Sequence, residues 1–107
     1  MATEKVIPMK GKAGHHVHAG DDGRVDNDEV HVSKSAQEQV TWHSDKKAII
    51  TFSSPDGSPF AEMTFHVPAG GSVSSGPAKP AAEHNKVYKY TVVGEKGVND
   101  PRVIIHN

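Results

Sequence analysis

The stretch Gln39-Val40-Thr41-Trp42-His43-Ser44-Asp45-Lys46-Lys47-Ala48-Ile49-Ile50-Thr51-Phe52 holds two short runs, Gln39–His43 and Ala48–Phe52, rich in β-branched and aromatic residues. Such residues suit a pleated, half-buried surface. Upstream, Val30-His31-Val32 alternates apolar and polar in the same way. Downstream, Ser54-Pro55-Asp56-Gly57-Ser58-Pro59 reads as a turn, because proline presets φ and Asp-Gly supplies a tight reversal. Phe60–Val67 follows, with Ala61, Met63, Phe65 and Val67 on one face and Glu62, Thr64 and His66 on the other. Ala69-Gly70-Gly71 leads into a short Ser72-Val73-Ser74 strand. Val87–Val93 aligns Tyr88, Tyr90 and Val92, and Val103-Ile104-Ile105 closes the chain. The polar connection Pro77–Asn85 between them offers one candidate helical turn, Ala81-Ala82-Glu83-His84.

Composition agrees with these strands. The 107 residues include 13 valines and 5 isoleucines but no leucine. Helical proteins lean on leucine and alanine, so this balance points to an all-β chain. About seven short strands separated by turn signals predict a Greek-key β-sandwich, with Trp42, Ile50, Phe52, Phe65, Tyr88, Tyr90 and Ile105 as its core. The sandwich is expected over residues 29–107. Residues 1–28 read as an irregular N-terminal segment carrying a histidine cluster, with Val6-Ile7-Pro8-Met9 as a candidate edge strand. Valine, isoleucine and phenylalanine total only 21 residues, yet 12 basic side chains nearly balance 13 acidic ones. Low hydrophobicity without net charge does not make a disordered chain. The same balance excludes a non-specific nucleic-acid binder. With no cysteine, disulfides, Fe–S clusters and thiolate nucleophiles are excluded.

No run of about 18 apolar residues occurs, so no membrane contact is expected. Met1-Ala2-Thr3-Glu4-Lys5 lacks the pattern of a secretory leader, and no Asn-x-Ser/Thr acceptor is present. The chain reads as soluble and intracellular, while a periplasmic or secreted domain whose leader had been removed would look the same.

From Val30 onward the order of motifs resembles the cupredoxins, the small blue-copper β-sandwiches. Val40-Thr41-Trp42 followed by Ile49-Ile50-Thr51-Phe52 looks like a pair of their strands. Tyr88-Lys89-Tyr90-Thr91-Val92 resembles the strand that delivers the copper cysteine, and Asp100-Pro101-Arg102-Val103-Ile104-Ile105 the closing strand. The resemblance places the first copper histidine at Ala48 and the cysteine at Val92. It places the second histidine and the axial methionine in Gly94-Glu95-Lys96-Gly97-Val98, which contains neither. A type 1 centre needs two imidazoles and a thiolate. The resemblance therefore implies a cupredoxin-like domain without blue copper and without electron transfer, acting as a binding or interaction module toward a protein partner or metal ion.

Eight histidines are a heavy load for this length. His15, His16 and His18 form the densest cluster, with His31 as a further candidate ligand. In an extended segment His16 and His18 point the same way, and imidazoles suit copper, zinc or nickel. The plainer alternative is a solvated polar segment. His43 and His66 fall on the polar phase of their strands and read as surface cross-strand partners; His84 and His106 read as solvated. The acidic stretch Asp21, Asp22, Asp26, Asp28 and Glu29 lacks EF-hand spacing and reads as a solvated loop. No Gly-x-Ser-x-Gly, His-Glu-x-x-His or phosphate-binding glycine loop marks a catalyst, so no enzyme is expected. Self-association into a homo-oligomer is a weaker expectation, because edge strands poor in lysine are prone to pairing.

Overall fold

The computed structural model describes residues 14–53 and 55–107. The expected edge strand Val6–Met9 lies outside them. The described residues form ten short strands and no helix: β1 (Gly14–Ala19), β2 (Glu29–Ser33), β3 (Gln39–Ser44), β4 (Ala48–Thr51), β5 (Thr64–Val67), β6 (Gly71–Ser74), β7 (Val87–Lys89), β8 (Thr91–Val93), β9 (Val98–Asn99) and β10 (Arg102–His106). They pair as three ladders, ordered β1-β3-β6, β2-β10-β7 and β9-β8-β4-β5. Two of these pairings are parallel, β1 with β3 and β2 with β10; the others are antiparallel.

Period-two alternation builds the interior. Val30 and Val32, Val40 and Trp42, Ala48 and Ile50, Phe65 and Val67, and Val103 and Ile105 all point inward and are buried. An aromatic cluster of Trp42, Phe52, Phe60, Phe65 and Tyr90 fills the centre, with ring centroids 5.1 to 6.5 Å apart in tilted and edge-to-face arrangements. All seven side chains expected in the core are there. The all-β sandwich read from the sequence is the architecture observed.

The differences are local. Gly14–Ala19, within the stretch read as irregular, is strand β1, and its Val17 is fully buried. The run Val87–Val93 is divided at Tyr90, whose N–H donates to the Pro101 carbonyl at 3.0 Å. Its first half pairs with β10 and its second with β4 and β9, so one extended segment switches sheets. Phe60–Met63 is not strand. The Ser58 hydroxyl donates to the Glu62 carbonyl and accepts the Phe60 N–H, and this compact turn buries Phe60 while leaving Met63 51% exposed. No helical turn forms at Ala81–His84; the Ala82 N–H closes a turn onto the Lys79 carbonyl instead, and Ala82 is buried.

Candidate functional site

The positions to which the resemblance assigns copper ligands carry neither imidazole nor thiolate. Ala48 and Val92 are buried apolar side chains. Gly94–Gly97 is a tight turn in which the Gly94 N–H donates to the Gly97 carbonyl at 2.8 Å. The Asp21–Gly23 turn lies directly on it, with the Lys96 N–H donating to the Asp21 carbonyl at 2.7 Å. A Cβ on Gly94 would stand 2.3 Å from the Asp21 oxygen, and one on Gly97 2.6 Å from the Asp22 oxygen. Backbone packs on backbone at this turn, while Ala48 and Gly94 also line an open groove that His66 and Glu95 border.

The imidazoles gather elsewhere. In β1 the buried phase is Val17 and Ala19, so His16 and His18 emerge on the opposite, open face. Parallel pairing sets His18 beside His43 of β3 and His16 diagonal to it. Nδ1 of His16 and Nε2 of His43 share a hydrogen bond of 2.9 Å, and the His18 ring stacks on His43 with centroids 4.7 Å apart. The chain reverses at Gly20–Gly23, Ala19 bridges Val25, and Asp26 returns beside His18. Its carboxylate accepts the His18 N–H at 2.9 Å and the His18 Nδ1–H at 3.3 Å, which leaves Nε2 of that ring free. A cleft of about 270 Å³ runs alongside, lined by His18, His43, Ser44 and Asp45.

The other candidates lie apart from this trio. His15 shares the phase of Val17 and donates from Nε2 to the Glu38 carboxylate at 3.0 Å. The Ser33 N–H bonded to that carboxylate, and His15 after it, hold the Glu38 carboxyl below its ordinary range. His31 belongs to β2, where its Nδ1 lies 2.7 Å from Nε2 of His106 on β10. His84 meets His106 edge-to-face. His66 stands opposite Ile49 in the β4–β5 ladder and borders a groove of about 360 Å³ with Lys47, Pro68, Val93 and Glu95; it does not meet His43. Spacing alone made His16 and His18 co-facial. His43 was missed as their neighbour because only the β1–β3 register brings it there.

Chemically the surface offers ring nitrogens in close pairs. Among the described residues, no three histidine or acidic side chains converge on one point as they stand. What exists are imidazole pairs at hydrogen-bond distance on exposed faces, where ring rotation meets little resistance. No helix among the described residues is long and apolar enough to cross a membrane.

No protein-family model and no curated protein matches the sequence. Among solved structures, the chain is similar to Na-dithionite-reduced auracyanin from the photosynthetic bacterium Roseiflexus castenholzii, a cupredoxin. The TM-score is 0.57 at 13% identity, over 90% of this chain and 98% of that one. The fold is thus cupredoxin-like. Lacking any cysteine, the chain has no thiolate for a type 1 copper centre.

Proposed function

We propose that this cupredoxin-like domain is a binding module rather than an electron carrier, and that it takes a divalent transition metal on the open face of β1 and β3. His16 and His43 are the anchoring ligands and His18 the third. The observation that supports this most directly is the 2.9 Å approach of His16 Nδ1 to His43 Nε2. Two nitrogens each about 2.0–2.1 Å from a metal stand about 2.9 Å apart at a right angle and about 3.3 Å apart at a tetrahedral one. The separation suits the tetragonal geometry of Cu(II) or Ni(II) better than tetrahedral zinc, and Cu(II) also leads the affinity order. In the metal-free protein a shared proton occupies the same place. Asp26 fixes the His18 tautomer so that Nε2 is available, the role outer carboxylates play at imidazole–metal sites. Rotation of the exposed His18 ring completes the set, and the adjoining cleft leaves room for water ligands.

The test is metal analysis of untagged protein followed by Cu(II) titration of the wild type, His16→Asn and His43→Asn. Each substitution is expected to remove one equivalent while the protein remains folded. Unchanged copper uptake in His43→Asn overturns the site. An intense visible thiolate-type absorption would overturn the absence of blue copper.

A second reading, a protein-docking module, is favoured by one feature. On the outer face of β9-β8-β4, Val98 stands opposite Val93 and Val93 opposite Ile49, all three exposed, beside the groove at His66. Contiguous apolar surface of this kind marks interaction sites. If the partner is a second copy, sedimentation shifts with concentration and Ile49→Lys abolishes the shift; a monomer at every concentration excludes self-association.

A further inference from the structure

The His16–His43 arrangement occurs twice. In the parallel β1–β3 ladder His16 is opposite Thr41 and bonds the residue two positions further on, His43. In the parallel β2–β10 ladder His31 is opposite Ile104 and meets the residue two positions further on, His106. The atoms are the same in both: Nδ1 of the first ring against Nε2 of the second, at 2.9 Å and 2.7 Å. In the second pair the ring centroids stand 4.9 Å apart with the planes at 15°.

We infer that His31 and His106 form a second, independent divalent-metal site that clamps the closing strand β10 to β2. The surroundings of the pair support it. The Glu29 carboxylate lies 3.1 Å from Nε2 of His31 and accepts its N–H, so Nδ1 carries the lone pair that faces His106. A second bare lone pair 2.7 Å away would repel it, so the gap holds either the His106 proton or a cation. When a metal enters, the His106 proton moves from Nε2 to Nδ1, and both facing nitrogens become ligands with no net proton released. Cis ligands of a tetragonal ion stand about 2.9 Å apart, so the rings separate only slightly. Arg102 approaches the other oxygen of that carboxylate, Oε1, at 3.9 Å.

The nearby third ring is withheld. Nδ1 of His84 accepts the Asn107 N–H at 3.1 Å, which keeps the proton of its neutral form on Nε2. The site is therefore two-coordinate from protein, with water in the remaining positions. Such a site favours Cu(II) or Ni(II) and binds more weakly than one with three imidazoles.

Cu(II) titration of the untagged full chain, followed by calorimetry and by paramagnetic broadening of the histidine ring signals, separates the two sites. The expected result is two equivalents for the wild type, with the weaker one lost in both His31→Asn and His106→Asn and retained in His43→Asn. The two substitutions read the same site from different strands, so a folding defect in one leaves the other informative. One equivalent in the wild type that vanishes in His43→Asn overturns the second site and leaves the first standing. One equivalent that vanishes in His106→Asn and survives His43→Asn supports the second site and overturns the first. No uptake overturns both.

Discussion

Trp42 Nε1–H donates to the Tyr90 hydroxyl at 3.2 Å inside the aromatic cluster. Burial pushes the Tyr90 phenol up, the Trp42 hydrogen bond pulls it back and the Asp26 and Asp28 charges push it further up, to about 12 in all. Unfolded tyrosine titrates near about 10. Because the folded value is the higher one, the stability from protonated Tyr90 is fully present below pH about 10 and is lost as the pH rises through about 12; a shift of this size corresponds to about 2–3 kcal/mol. Tyr90→Phe removes that alkaline loss but leaves the buried Trp42 N–H unpaired, at a cost of about 1–3 kcal/mol near neutrality. Denaturant melts of both proteins from pH 8 to 11.5 should show a gap that narrows as the pH rises; a constant gap would contradict the assignment. Alternation in the sequence sufficed to put both rings in the core, since a period of two sorts faces without knowledge of partners. It did not pair them, because Trp42 and Tyr90 are 48 residues apart. The histidines divide the same way. That His16 and His18 share a face follows from their spacing, whereas the contact of His31 with His106 spans 75 residues and depends on a parallel register.

At the level of elements, strand β1 and the Gly94–Gly97 turn matter most. β1 carries only two buried apolar side chains, Val17 and Ala19, among three histidines, so its alternation was easily taken for a polar segment. It is a strand because β3 supplies its hydrogen bonds, and the long connection a parallel partner needs hides such a pairing from local sequence. The Gly94–Gly97 turn was legible as lacking copper ligands but not as the seat of the Asp21–Gly23 turn. Gly94→Ala forces a methyl group against the Asp21 carbonyl. Overpacking against backbone of this kind costs about 1–3 kcal/mol. The variant should melt earlier than the wild type, and hydrogen exchange at the Lys96 amide, which bonds Asp21, should quicken. Wild-type stability for Gly94→Ala would mean that the two turns do not hold each other.

For the molecule as a whole, metal binding and folding are linked. An ion that binds only the folded chain stabilises it by about 2.7 kcal/mol at a hundredfold excess over Kd. Cu(II) should therefore raise the melting temperature of the wild type by several degrees. The increment should shrink in His43→Asn and disappear on acidification, because protons compete for the same lone pairs. An increment that survives acid would place the ion on carboxylates such as Asp26 and Asp45 instead of imidazoles. Valine and isoleucine without leucine, alternation and turn chemistry determined from sequence alone that this chain is a β-sandwich with an aromatic core. The missing cysteine determined equally that no blue-copper centre is possible. These are properties of composition and of neighbours along the chain. Which histidines meet was decided only by the tertiary structure, through the two parallel pairings of β1 with β3 and β2 with β10. A parallel register is set by the packing of the whole core, and no residue within either strand encodes it alone.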